Sequence, residues 1–371
     1  MGVAQSRTQS GTKYHTVLVR AFVSGLLILA GIAPARAQTE GPQRPASDQQ
    51  QQNPAPSQPP PAPAAAPGQP NYAISVTVPV VNVDVVVTDN DGNYLSGLKK
   101  ENFRITEDGA TQAISNFSTV DAPITVVLLV EYSQLGYYSF LANARYWGDI
   151  FIHQLKPVDW IALESFNMRS NIDVDFTHDP REVEQGLIQL VYPPFHESNL
   201  FDAVADALDR MRGVKGKKSI LVLASGIDTF SRLTLDKVLP KIKETDVTIN
   251  CVGVGEPLFV RSLSGGGLTY LQAQNQLKTF AELTGGRAWF PRFDGEIPDI
   301  MRDVAVSLRN EYSIGYMSTN QANDGKYRKI KIELVNPDGS PLVVLDQKGK
   351  KHGYHIYARQ GYVAPTSSVG N

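Results

Sequence analysis

The run Ile124-Thr125-Val126-Val127-Leu128-Leu129-Val130 passes without any apolar–polar alternation into Glu131, Tyr132 and Ser133. A strand of that composition has to be covered on both faces, as in a parallel sheet flanked by helices. Open sheets of this kind hold their ligands outside the carboxyl ends of the strands. A second run, Ser219-Ile220-Leu221-Val222-Leu223-Ala224, ends in the same manner on Ser225-Gly226-Ile227-Asp228. Between the two, Ser198-Asn199 opens an amphipathic helix, with Leu200, Val204, Leu208 and Met211 at helical spacing and Asp202, Asp206 and Asp209 interleaved. Three oxygen-rich loops are thus expected at one sheet edge.

The rest of the centre repeats this alternation. Strands are expected at Thr125 to Val130, Trp160 to Phe166, Ser219 to Leu223 and Thr248 to Val254. Helical spacing relates Phe140, Ala144, Trp147 and Phe151, then Leu235, Val238, Leu239 and Ile242, then Ile297, Ile300, Val304 and Leu308. The fold class is therefore α/β, a doubly wound and mostly parallel sheet over residues 121–309. The flanks are patterned differently. Val81, Val83, Val85 and Val87 alternate before an Asp89–Asn93 turn, and Tyr312, Ile314 and Tyr316, then Ile330, Ile332 and Leu334, alternate after the centre. Each flank is about 50 residues, marginal as an independent fold. Residues 72–120 and 310–363 are accordingly expected to combine into one small antiparallel β-sandwich, with the α/β domain inserted between its strands. Residues 364–371 are expected to be a disordered tail.

Arg7, Lys13 and Arg20 precede the apolar run Ala21 to Ile32, and Ala35-Arg36-Ala37 supplies small residues at both positions a signal peptidase reads. Residues 1–37 thus form an expected signal peptide cleaved before Gln38, which points to a secreted or periplasmic location. The apolar run falls short of the roughly 20 residues of a membrane span. No stable span is expected after cleavage, with retention of the run as an anchor the alternative. Residues 38–71, rich in Pro, Gln and Ala, form an expected disordered linker. With 35 basic and 37 acidic side chains the chain has no electrostatic footprint for nucleic acid. Cys251, the one cysteine, lies in an apolar strand and reads as a core residue.

The three loops resemble the metal-ion-dependent adhesion site of von Willebrand factor type A domains, written Asp-x-Ser-x-Ser, then Thr, then Asp. Here Glu131-Tyr132-Ser133-Gln134-Leu135 stands at the first element, Ser198 at the Thr and Ser225 at the final Asp, with Asp228 three residues later. Further blocks resemble secreted proteins related to these domains that are common in acidobacteria. They are Val85 to Gly92, Gly97-Leu98, Glu101-Asn102-Phe103, Gln272 to Phe280, Thr284 to Ala288, Tyr327 to Ile330 and Arg359 to Tyr362. The resemblance implies the type A fold and a ligand face built from Glu131, Ser133, Ser198, Ser225 and Asp228.

Metal binding at that face is weakened by composition. Magnesium takes near-octahedral oxygen ligation, commonly with one or two carboxylates. Glu131, Ser133 and Ser198 are the weak metal candidates, whereas Leu135 and Ser225 replace a hydroxyl and a carboxylate. No cofactor is expected, with weak Mg, Mn or Ca binding as the open alternative. Ser198 reads equally as a helix cap, Gly226 as a turn, and Asp228 with Thr229 as a cap of the segment that follows. Glu131 is different, since a carboxylate ending an apolar strand needs a partner or solvent.

Catalysis is not expected. No Gly-x-Ser-x-Gly elbow occurs. His352 and His355 fall on opposite faces of a strand. Asp173-Val174-Asp175-Phe176-Thr177-His178 lacks the glycine of a calcium loop and reads as a strand. Arg261 to Gly267 lacks phosphate-cradle spacing. The expected function is an exported, non-catalytic module recognising a protein or cell-envelope ligand through the top of the type A-like domain. The alternative is a structural scaffold with a vestigial site, interacting through the β-sandwich or the Pro-rich linker.

Overall fold

A computed structural model describes residues 80–119, 122–134, 142–190, 193, 195–253, 267–345, 349 and 351–366, with backbone alone for 142–145 and 267–268. The signal peptide, the Pro-rich linker, Phe140, Leu135 and the Arg261–Gly266 loop lie outside them. The first strands are β1 (Val80–Asp89), β2 (Phe103–Glu107), β3 (Ala110–Gln112), β4 (Ile114–Thr119) and β5 (Ile124–Glu131). Helix α1 (Ala142–Ile152), β6 (Trp160–Phe166), β7 (Ser170–Thr177), α2 (Pro180–Gln189), α3 (Leu200–Met211) and β8 (Lys217–Leu223) follow. Next come α4 (Leu235–Glu244), β9 (Thr248–Val252), α5 (Gly267–Thr284), β10 (Ala288–Trp289) and α6 (Ile297–Arg309). The chain closes with β11 (Tyr312–Met317), β12 (Tyr327–Leu334), β13 (Val344–Leu345), β14 (Lys351–His352), β15 (Tyr354–Ala358) and β16 (Gly361–Val363).

β5 occupies the centre of a six-stranded sheet of order β10-β9-β8-β5-β6-β7. Its apolar residues serve two cores at once. Ile124, Val126, Leu128 and Val130 join Trp147, Phe151, Leu187 and Met301 on one face, while Val127 and Leu129 join Leu200, Val204, Val238 and Phe280 on the other. That double burial is why the run shows no alternation. Five strands are parallel, and β7 pairs antiparallel with β6. Only residues 167–169 join β6 to β7, too few for a parallel crossover of a dozen or more residues. Asp173 and Asp175 lie in β7, as read from the sequence, and Cys251 is fully buried in β9, where burial pushes its thiol pKa up. β9 ends at Val252, earlier than the expected Val254.

The flanking segments pair with each other. β1, from before the α/β segment, lies between β11 and β15, from after it, in an antiparallel sheet of order β15-β1-β11-β4. β2 likewise pairs with β12 in the sheet β16-β12-β2-β3. Val83, Val85 and Val87 of the first sheet and Phe103, Ile105, Ile330 and Leu334 of the second share one apolar cluster with Tyr312, Ile314 and Tyr316. Beneath it, the buried Glu107 carboxylate accepts from the hydroxyls of Tyr316 at 2.7 Å, Ser318 at 2.5 Å and Tyr362 at 3.0 Å. The expected tail has to be shortened. Ala364 is buried and its N–H donates to the Lys326 carbonyl at 2.9 Å, so the ordered chain continues through Thr366. Among the described residues no helix is long and apolar enough to cross a membrane.

Between α6 and β11, Glu311 is only 7% exposed and sits 3.2 Å from Lys217. Burial outweighs the attraction of Lys217 and raises its pKa from 4.5 to about 7, with Asp84 adding to the rise. The folded state therefore holds this proton more tightly than the unfolded chain. The contribution to stability is full below pH 4.5 and is lost as the pH rises through about 7. Glu311→Gln should flatten that part of the stability–pH curve, measured by thermal unfolding of wild type and variant across the same window. Parallel curves would remove Glu311 as the source.

Candidate functional site

The carboxyl ends of β5 and β8 are neighbours, because β5 and β8 run parallel with Val130 opposite Leu223. One residue further, Glu131 is 1% exposed. Its Oε1 accepts from Ser133 Oγ at 2.7 Å and its Oε2 from the Ser225 backbone N–H at 2.5 Å. Burial raises the pKa of this carboxyl, opposed by the Ser225 N–H and the hydroxyls of Ser133, Ser225 and Ser198. Ser198 Oγ approaches without completing a hydrogen bond, and it is buried, as is the unpartnered Asn199 Oδ1 beside it. Gly226 follows at φ +84°, where a Cβ would stand 2.6 Å from the Ala273 carbonyl oxygen of α5. Only glycine gives both the left-handed turn and that close approach.

The loop after Gly226 docks on the start of α3. Thr229 and Phe230 donate their N–H groups to the Ser198 carbonyl at 2.8 and 2.9 Å, and Ser198 N–H donates to Thr229 Oγ1 at 2.9 Å. Asp228 Oδ1 accepts from Phe201 N–H at 3.2 Å and from Ser231 Oγ at 2.5 Å. Asp202 returns the contact, accepting from Arg232 N–H at 3.0 Å and Leu233 N–H at 2.9 Å. The two carboxyls shift in opposite directions. Burial raises Asp228, with Asp202 adding to the rise, whereas for Asp202 the backbone N–H groups of Arg232 and Leu233 overcome burial and lower it.

Four of the five expected residues, Glu131, Ser133, Ser198 and Ser225, meet at this edge. Asp228 is not among the hydrogen-bonding partners of Glu131; it turns instead to the first turn of α3, which satisfies N–H groups that a helix start leaves free. Its carboxylate also accepts from the hydroxyl and the backbone N–H of Ser231 in the segment that follows. Ser198 is not the side-chain cap of α3, since the residue at that position is Asn199, whose side chain makes no capping bond. Ser231 and Asp202 carried no site role in the sequence, and Thr229 only that of a cap beside Asp228. The Asp228-x-x-Ser231 spacing and the acidic first turn of α3 were the available signals. Exposed aromatics flank the edge: Phe195, 44% exposed, whose carbonyl accepts from Gln134 N–H, and Phe230, 46% exposed.

The donor set fits a divalent cation poorly. Both oxygens of the one carboxylate already accept from protein donors, and hydroxyl and amide protons rather than lone pairs are aimed at it. Among the described residues, the clusters of three acidic or histidine ligands are Asp89-Asp91-His352 and Asp149-His153-Glu184, and neither includes Glu131. A lone buried anion with hydroxyls leaves a divalent charge largely uncompensated.

No family model matches the chain, and no curated protein matches it. Solved structures do. An aerotolerance-related membrane protein from Bacteroides fragilis is 13% identical over 50% of this chain and 98% of its own, with a TM-score of 0.39. The vWF domain of the type V pili tip protein Mfa5 from Porphyromonas gingivalis is 14% identical over 51% of this chain and 96% of its own, with a TM-score of 0.41. A von Willebrand factor type A structure from Catenulispora acidiphila covers 80% of this chain and 77% of its own at 10% identity and a TM-score of 0.40.

Asp228→Ala removes the acceptor for Phe201 N–H and Ser231. It should cost about 0.5–2 kcal/mol, the range for losing a helix cap, read by urea unfolding. Asp228→Asn, which keeps an acceptor oxygen, should recover most of the loss. Equal stability of wild type and the alanine variant would show that this docking carries no energy.

Proposed function

We propose that this is an exported, non-catalytic binding module of the von Willebrand type A kind, inserted into a β-sandwich made from the two flanking segments. Its ligand is a protein or cell-envelope component, recognised without metal at the edge formed by Glu131, Ser133, Ser198 and Ser225. The observation that carries this reading is the pair of exposed rings, Phe195 and Phe230, on the loops that enclose a buried polar centre. Aromatic anchors around a desolvated polar patch are the usual composition of a protein-binding hot spot. The sequence blocks described above support the domain type. The interdigitated pairing of β1, β2, β11, β12 and β15 supports the insertion.

The hydroxyls of this edge support the non-catalytic part of the proposal. The Ser225 hydroxyl accepts from Ile227 N–H at 3.2 Å, and among the described residues no histidine is recorded as its partner. Ser133 is fully buried and donates to Glu131, so neither hydroxyl is set up as an accessible nucleophile.

The test is binding of the whole chain to envelope proteins of the organism that produces it, on a sensor surface, with and without chelator. Phe230→Ala should weaken binding about tenfold or more, and chelator should leave the wild type unchanged. Undiminished binding by a Phe195→Ala, Phe230→Ala double variant would remove this edge as the recognition surface. Metal independence has its own measurement. Millimolar Mg, Mn or Ca should leave the thermal midpoint in place, whereas a cation at 100 times its dissociation constant would add about 2.7 kcal/mol.

A further inference from the structure

The outer face of the sheet β15-β1-β11-β4 is polar in two aligned rows. Val83, Val85, Tyr312 and Ile314 point into the apolar cluster between the sheets, so the alternate residues point away from it. Asp84 stands opposite Ser313, and Ser313 opposite Ser118; one step along, Asn82 stands opposite Gly315, and Gly315 opposite Asn116. A Cβ at Gly315 would lie 3.0 Å from Asn116 Cβ and 3.1 Å from Asn82 Oδ1, so glycine keeps the floor between the two amides open. The side chains of Asn82, Asn116, Ser118 and Ser313 spend no hydrogen bond on the described residues.

This platform is one wall of a cleft of about 580 Å³. The facing wall comes from the amino-terminal edge of the parallel sheet, at Lys217, Lys218 and the Thr245–Asp246 loop before β9, the opposite edge from Glu131. Two of its lysines are paired, Lys217 with Glu311 at 3.2 Å and Lys218 with Asp246 at 2.6 Å, whereas Lys215 is exposed and holds no ion pair among the described residues. Arg359 is more buried than Lys215 and is held differently from all three. Its Nε donates to the Gly361 carbonyl at 2.8 Å and its Nη2 to the Thr245 carbonyl at 3.0 Å, both neutral acceptors. Among the described residues no carboxylate comes within ion-pair reach of it; burial lowers its pKa, and Asp246 and Asp84 at longer range only partly oppose that. Carbonyls fix the guanidinium in place without a direct ion pair, so a bidentate oxyanion would add the charge-assisted bonds that it lacks.

We propose that this cleft binds a small polyhydroxylated acid, with its oxyanion on Arg359 and its hydroxyls on the rows of Asn82, Asp84, Ser313, Asn116 and Ser118. The size suits a small molecule, and the lining selects a hydrophilic one. A carboxylate and a phosphate satisfy the guanidinium by the same bidentate geometry, so a sugar acid and a sugar phosphate share the required chemistry. The acceptor Asp84, which holds no ion pair among the described residues, takes hydroxyl donors and disfavours a second anionic group. The site is independent of the recognition edge at Glu131.

The experiment is calorimetric titration of the whole chain with D-glucuronate, glucose 6-phosphate and glucose, which differ only at C6. At least one charged sugar should bind about tenfold or more tighter than glucose, and the better of the two identifies the oxyanion. Arg359→Gln should abolish that preference. Because Arg359 also clamps β15 to the Thr245 loop, Asn116→Leu and Ser118→Val provide the second arm, as neither takes part in the clamp. Each should weaken the charged sugar several-fold while leaving the thermal midpoint near wild type. Failure of both charged sugars to bind better than glucose, or unchanged affinity in Asn116→Leu and Ser118→Val, would overturn the assignment.

Discussion

A buried carboxylate ends the central strand, and much of the upper half of the domain is arranged around it. An isolated ionised carboxylate in an apolar interior costs several kcal/mol, so Glu131 has to be given donors. They come from its own strand end, through Ser133, and from the neighbouring strand, through Ser225 N–H. Glutamate is longer than aspartate by about one bond, roughly 1.5 Å, and spends that length in reaching β8. Once Ser225 is held, Gly226 can turn the chain in the left-handed region against α5, and residues 228–233 are delivered to the start of α3. Helix α3 is thereby fixed from both sides, by β5 and β8 below and by this loop above. Position 131 therefore governs the geometry of residues far from it in sequence.

The same network sets the electrostatics. A cation site presents lone pairs toward a shared empty position, whereas here protons converge on the carboxylate from a hydroxyl and a backbone amide. Burial raises the Glu131 pKa, and the donors that converge on the carboxylate oppose that rise. Asp228, which could have supplied a second negative charge, is committed to Phe201 N–H and Ser231. Positions 131 and 225 thus reinforce each other. Glu at 131 reaches the amide at 225, and Ser at 225 leaves no second carboxylate to compete for a cation.

The central sheet was legible in the sequence because its signal is redundant. β5 and β8 are apolar on both faces, and α3 repeats a wide apolar stripe, so the period and the burial agree. β7 was readable as a strand, and the short connection before it dictates its antiparallel direction. Glu131, Ser133 and Ser225 were legible for a different reason, as polar residues stranded at the ends of apolar runs. What could not be read was where Asp228 would find its partner, since that contact crosses 27 residues and joins a side chain to a backbone N–H. The ordering of Ala364 to Thr366 was hidden for a related reason. Their composition resembles a tail, and it is pairing with Lys326 and Asp324, far back in the chain, that ties them down, Ala364 alone of the three being buried.

The two edges of the parallel sheet end in opposite electrostatic conditions. At the carboxyl edge every strong charge is answered locally, by Ser133 and Ser225 for Glu131 and by backbone N–H groups for Asp202 and Asp228. What remains for a partner there is apolar ring surface and a rim of polar backbone. Affinity at such a surface comes from desolvation and shape, which tolerates salt and favours large partners. At the amino edge Lys217 and Lys218 are answered, but the guanidinium of Arg359 makes its hydrogen bonds to carbonyl oxygens and feels Asp246 and Asp84 only at longer range. A charge fixed in place without a direct counter-ion pays its desolvation cost in the folded state, and an anion that replaces water there recovers part of it. The two proposals are therefore compatible, a macromolecular surface at the first edge and a small charged solute at the second, because the strands of the sheet hold the two ends apart.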